Sequence, residues 1–193
     1  MDEFLIYLKL GLTHVLDWNA YDHVLFLSVL VAAYTFYDWK KVLGLVTVFT
    51  VGHTISLLLA SYNIVSVNSS WVEFLIPVTI IFTALYNLFT VKRNKNEKMG
   101  AFMLVTLFFG IIHGLGFSNF FGSTLGNDGV EIARLLSFAV GIELAQLIVV
   151  VVVLLLAFVF QSVFKYSKRD WVLVICSLII GLTIPMLREN WIL

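Results

Sequence analysis

Leu147-Ile-Val-Val-Val-Val-Val-Leu-Leu-Leu-Ala-Phe-Val-Phe160 is an unbroken apolar run of fourteen residues. With the flanking apolar residues it fills a window over 132–164. A window of that length spans a hydrocarbon core of about 30 Å at about 1.5 Å per helical residue. Nothing in it alternates with the period of two that a barrel strand needs, so backbone groups in lipid are satisfied within a helix. The rest of the chain has the same character: of 193 residues, 61% are hydrophobic and 12% charged, with a formal net charge of zero. Soluble domains run about 25% charged, so a water-soluble globule is excluded. A single integral membrane domain over residues 1–193 is expected.

Six more windows lie at 4–17, 23–37, 41–62, 71–91, 100–118 and 171–188, predicting an all-α polytopic membrane bundle of about seven transmembrane helices. The first two are short. At about 22 Å each they fall short of the core, so helices 1 and 2 either cross weakly or form a re-entrant hairpin. The start, Met1-Asp2-Glu3, lacks a basic n-region, so the first run is expected to be a retained helix rather than a cleavable signal. Cys176 is the lone cysteine, which leaves no disulfide framework and no thiolate cluster.

Basic residues collect in alternate connectors: Lys40 and Lys41; Lys92, Arg93, Lys95 and Lys98; Lys165, Lys168 and Arg169. Retention of Lys and Arg on the inner face predicts the amino terminus inside and the carboxyl terminus outside, in a membrane expected to be the bacterial cytoplasmic one. With Lys9 counted inside, the inner side carries a net +5 and the outer side −4, while Glu143 stands alone in the core. The bilayer and a metal ion are the expected partners, and no nucleic acid.

All four histidines, His14, His23, His53 and His113, sit within or at the edge of apolar windows. Ionisable groups in spans are costly and face the bundle interior, where they serve ions, substrates or proton paths. Counted along their helices, the four and Glu143 reach similar depths in the outer half. A central acid costs roughly 3 kcal/mol on insertion scales, which the apolar run after it offsets. An ionised Glu143 calls for a cationic partner, and no Lys or Arg shares its depth. Imidazole and carboxylate together suit a divalent transition metal such as Ni, Co, Zn or Fe. Hydrogen-bonded structural histidines are the alternative. Asp22 suits both ligation and the N-cap of helix 2. Lys9 and Arg134 read as snorkelling residues, Glu73 as a rim acid, and the glycines near the histidines as close helix contacts. The connector 119–130 reads either as a lid or as an ordinary loop.

Gly11-Leu-Thr-His14, Asp22-His23-Val-Leu-Phe-Leu, Phe49-Thr-Val-Gly-His53-Thr-Ile-Ser-Leu, Val72-Glu73-Phe-Leu-Ile, Phe109-Gly-Ile-Ile-His113-Gly-Leu-Gly-Phe117 and Gly141-Ile-Glu143-Leu-Ala-Gln146 occur in this order. Together they resemble the HupE/UreJ family of membrane proteins across nearly the whole chain. The resemblance implies nickel or cobalt permeation, with His14, Asp22, His23, His53, His113 and Glu143 as metal-handling positions and Glu73 and Gln146 close by. Where the family often carries an acid on helix 4, this chain has Tyr86 beside Asn87. A permease needs polar steps below its capture site, and here only threonines and Asn87 supply them. The competing expectations are a membrane-embedded zinc hydrolase, with Glu143 or Glu73 as general base, and an assembly protein with structural histidines.

Overall fold

The computed structural model describes residues 3–91, 99–125 and 131–192. The seven expected helices are all present: α1 (Glu3–Val15), α2 (Asp22–Val31), α3 (Trp39–Ser61), α4 (Ser69–Thr90), α5 (Met99–Leu125), α6 (Ile132–Ser162) and α7 (Lys168–Glu189). No strand occurs among the described residues. Helices α3 to α7 are each long and apolar enough to cross a membrane. The basic cluster Lys92 to Lys98 lies outside the described residues.

Two parallel helix pairs set the frame. Gly11 of α1 faces Gly141 of α6, and a Cβ on either would overlap the backbone oxygen of Phe138 or Leu8 on the other helix. Gly52 of α3 meets Gly110 of α5 in the same way, against the oxygens of Leu107 and Phe49. Small residues are what let membrane helices approach this closely. α4 runs antiparallel to α5: Ile76 packs on Gly116, Thr79 on His113, Phe82 on Phe109 and Tyr86 on Phe102.

The direction of α1 differs from expectation. Arg134 Nη2 donates to Glu3 Oε1 at 3.2 Å, which puts the start of α1 beside the start of α6. α2 continues in the same sense. His23 lies beside His53, Phe26 stacks on Phe49 at 4.8 Å, Asn87 Nδ2 donates to Val29 O at 2.6 Å, and Trp171 Nε1 donates to Ala32 O at 3.1 Å at the start of α7. So α1 and α2 are consecutive legs of one broken traverse, not two opposed crossings or a hairpin. Their 13 and 10 residues amount to about 34 Å of helix, enough for one hydrocarbon core. The first described residues of α1 and the last of α7 share one end of the bundle, where Trp191 meets Phe74 of α4. The expected placement of the two ends on opposite faces does not fit this arrangement. The charge count, with Lys9 on the inner side, runs α1 outward, whereas the Glu3 to Arg134 pair sets α1 parallel to α6.

α2 is buried along nearly its whole length, from His23 to Val31. The connector expected over 119–130 is shorter, because α5 continues to Leu125 and Phe121 is fully buried against Tyr7 and Phe138. Residues 126–130 of that expected lid lie outside the described residues.

Candidate metal centre

The break between α1 and α2 builds the centre. At Leu16–Tyr21 the chain leaves the helix, and Asp17 Oδ1 accepts from Asn19 N at 2.9 Å and from Asn19 Nδ2 at 3.2 Å, an Asx turn. Non-helical backbone at membrane depth is tolerated where it lines a cavity, and here it borders one of about 850 Å³ lined by Trp18, Asp22, His23, Glu73, His113 and Phe117 among others. The last turn of α1 borders the site through Leu12, Thr13 and His14. Broken helices elsewhere use such ends to attract cations. Pro77, inside α4, has no N–H to give to the carbonyl of Glu73.

All four histidines converge here. The ring of His23 lies 4.6 Å from His14, 5.6 Å from His53 and 5.1 Å from His113, centre to centre. His23, His53 and His113 are buried and His14 is half-buried. The five ligand side chains fall into two groups whose ligand atoms lie within 4.8 Å of one another: His14, His23 and His53; and Asp22, His23 and His113.

Hydrogen bonds fix which nitrogens are lone pairs. His23 Nδ1 stands 3.0 Å from Asp22 Oδ1, an acceptor, so Nδ1 carries the proton and Nε2 is left bare. His113 Nε2 stands 3.1 Å from Thr79 Oγ1, whose own proton goes to Ile76 O at 2.7 Å. The Thr79 oxygen therefore accepts from His113 Nε2–H, leaving Nδ1 bare. His23 Nε2 and His113 Nδ1 are among the buried nitrogens without a partner, as are His14 Nε2 and both nitrogens of His53. A histidine that merely ties helices together would use these atoms. Orientation of one ring nitrogen by an outer partner, with the other left free, is the pattern of metal-ligating histidine.

The sequence expected Asp22 to act as ligand or cap. The N-cap position of α2 is Tyr21, so Asp22 is its first helical residue and not its cap, and the Asp22 carboxylate takes both the His23 ring N–H and the His23 backbone N–H at 2.8 Å. Glu143 is the residue the structure sets apart. Its carboxylate accepts from Thr47 Oγ1 at 2.6 Å and from the Thr50 hydroxyl, on the α3 turn preceding His53, and it belongs to neither histidine group. The Gln146 amide lies 2.8 Å from Thr50 Oγ1. Glu73 lines the cavity.

Among the threonines that read from sequence as polar steps, Thr79 holds His113 and Thr50 holds Glu143. Phe117, which no sequence signal marks as part of the centre, has its ring 3.8 Å from that of His14 and stacks on Phe138. The Thr79 to His113 spacing carries no local signature, since the two are on different helices.

The family model described as HupE / UreJ protein matches residues 1–189. The chain belongs to the HupE/UreJ family. No curated protein and no solved structure matches it. This HupE/UreJ protein is thus an all-helical membrane bundle with its histidines gathered at the break in its first traverse.

Proposed function

We propose that this HupE/UreJ protein is a divalent transition-metal permease, with nickel or cobalt as its cargo, captured by His14, Asp22, His23, His53 and His113. The observation that supports this best is the set of five buried histidine nitrogens left without partners, two of them on rings held by Asp22 and Thr79. Lone pairs kept bare inside a membrane bundle cost free energy unless a cation uses them. Thr50, Glu143 and Gln146 supply the next polar step along α3. By the tendency of basic residues to stay inside, the end bearing Lys40, Lys41, Lys165, Lys168 and Arg169 is the inner one, so the cavity opens outward and both described chain ends face out. Proteoliposomes containing the parent should accumulate nickel or cobalt, and those with His23→Ala should not. Equal uptake by the two would sink the proposal.

A second reading rests on the size of the cavity. A dication with six waters fills about 200 Å³ at about 30 Å³ per water, much less than the roughly 850 Å³ present. That space, walled by Leu10, Leu12 and Ile76, would admit a lipid or peptide to a zinc-bound water, with Glu73 as general base. Tightly held stoichiometric zinc and hydrolysis of a lipid ester by the purified protein would favour it over permeation.

A further inference from the structure

At the end of the bundle that carries the α6 to α7 turn lies a second recess, which the metal centre does not use. It holds about 300 Å³ between the α2 to α3 connector and the last turns of α6, and Thr35, Phe36, Leu154, Phe158, Gln161 and Ser162 are among its walls. At about 30 Å³ for each water-sized group, that is room for about ten heavy atoms, the bulk of a glycerol phosphate. Leu154 and Phe158, the latter 55% exposed, continue the recess along α6 toward the middle of the span. Tyr37, Trp39 and Tyr166 are all exposed at this end, where aromatic side chains mark the level of lipid headgroups. Gln161 Nε2 gives one proton to Ala157 O at 3.0 Å and has a second to give, and the Ser162 hydroxyl is another donor.

Charge decides the occupant. The two segments beside the recess, 35–41 and 161–170, carry Lys40, Lys41, Lys165, Lys168 and Arg169 against Asp38 and Asp170. Both carboxylates are already engaged. Asp38 Oδ2 accepts from Thr35 N and Oγ1 at 3.2 and 3.1 Å, and its Oδ1 lies 3.6 Å from Lys41 Nζ. Asp170 Oδ2 accepts from Ser167 N and Oγ at 3.1 and 2.6 Å in the cap of α7. Among the described residues, Lys165, Lys168 and Arg169 have no carboxylate within ion-pair distance. Lys168 belongs to the recess itself. Trp171, one turn further on, donates to Ala32 O at 3.1 Å, and the Lys168 charge acts on Asp38, which is bonded to Thr35 in the lining.

The geometry points to a seat for one anionic phospholipid, with its phosphate beside Lys168, Gln161 and Ser162 as donors, and an acyl chain along Leu154 and Phe158. Basic pockets between helices at the membrane surface suit such headgroups. A choline headgroup brings a cation of its own to a place where cations are already in excess, so the seat discriminates by net charge. The bound lipid joins the α2 to α3 connector to the end of α6. The seat is independent of the metal reading, since none of its residues lines the histidine cavity.

The test is native mass spectrometry of the purified full-length chain in detergent, titrated with phosphatidylglycerol or with phosphatidylcholine. The parent should retain one phosphatidylglycerol more tightly than any phosphatidylcholine. Lys168→Gln should weaken phosphatidylglycerol by about fivefold, the scale of one basic residue at an anionic membrane surface, and leave phosphatidylcholine unchanged. Arg188→Gln, at the far end of α7, should change neither. Ser162→Trp keeps every cation and fills the recess, so it should also lose the tight phosphatidylglycerol. Gln161→Leu replaces any variant that does not keep the parent's melting temperature, with the same loss expected. Equal retention of the two lipids by the parent overturns the proposal. An equal loss in Lys168→Gln and Arg188→Gln means diffuse attraction and overturns the seat, as does parental binding by Ser162→Trp. Displacement of phosphatidylglycerol by an equal concentration of inorganic phosphate means a site for a soluble anion, and overturns the lipid assignment.

Discussion

Thr79 Oγ1 lies 3.1 Å from His113 Nε2 and spends its own proton on Ile76 O. A neutral hydroxyl on α4 thus dictates the tautomer of an imidazole on α5. In Thr79→Val that acceptor is gone, and His113 populates both tautomers. Nitrogen NMR of imidazole-labelled protein should show Nε2-protonated His113 in the parent and a mixture in the variant. Cobalt affinity should fall by up to about tenfold, as is usual when an outer partner of a ligating histidine is lost. Thr79→Ser should restore both, and an unchanged tautomer would contradict the assignment.

The Gly11 and Gly141 contact makes a separate prediction. A valine at Gly141 collides with the backbone of Leu8, so α1 must lift off α6 and carry His14 with it. Overpacking of this kind costs about 1–3 kcal/mol. Gly141→Val should lower the unfolding temperature and weaken metal binding together. Gly181→Ala is the control, because a Cβ there meets nothing within 4 Å. A metal-binding Gly141→Val of parental stability would show that the close approach is dispensable.

Glu143→Gln separates capture from passage. Glu143 is bonded to Thr47 and Thr50 and stands outside both histidine groups. Equilibrium cobalt binding should therefore match the parent, while proteoliposome uptake drops by about tenfold or more, the usual scale for a polar group acting beside a metal path. Loss of binding would return Glu143 to the ligand set.

The side chain of Asn87 ties α4 to the end of α2 through Val29 O at 2.6 Å. Asn87→Leu should cost about 1 kcal/mol, the scale of an interhelical hydrogen bond in a membrane protein. Calorimetric or denaturant unfolding would measure it. Greater stability in the variant would argue that Asn87 is kept for transport instead.

What the sequence makes legible here is what depends on local composition. Leu147 to Phe160 declares a span without help from any neighbour, and the four histidines announce themselves because nothing polar competes with them. Counting residues from helix ends also gives Glu143 a depth near that of the histidines. It does not give the face of the helix, and Glu143 turns toward Thr47 and Thr50 instead. Direction is hidden for a similar reason. The windows of α1 and α2 give lengths, but only Arg134, more than a hundred residues from Glu3, shows which way up α1 runs. The tautomers of His23 and His113 are likewise decided by partners, one adjacent in sequence and one on another helix.

The broken first traverse also bears on how the molecule is made. Neither 13-residue α1 nor 10-residue α2 reaches across a core of about 30 Å unaided. The surface that receives α1 is Phe138 to Ile142 of α6, which leaves the ribosome long after α1 does. The opening segment must therefore wait until α6 arrives to seat it. His14 joins the other three histidines only then, so the histidine cluster is completed late in biogenesis, and a chain truncated before α6 carries His14 with nowhere to place it.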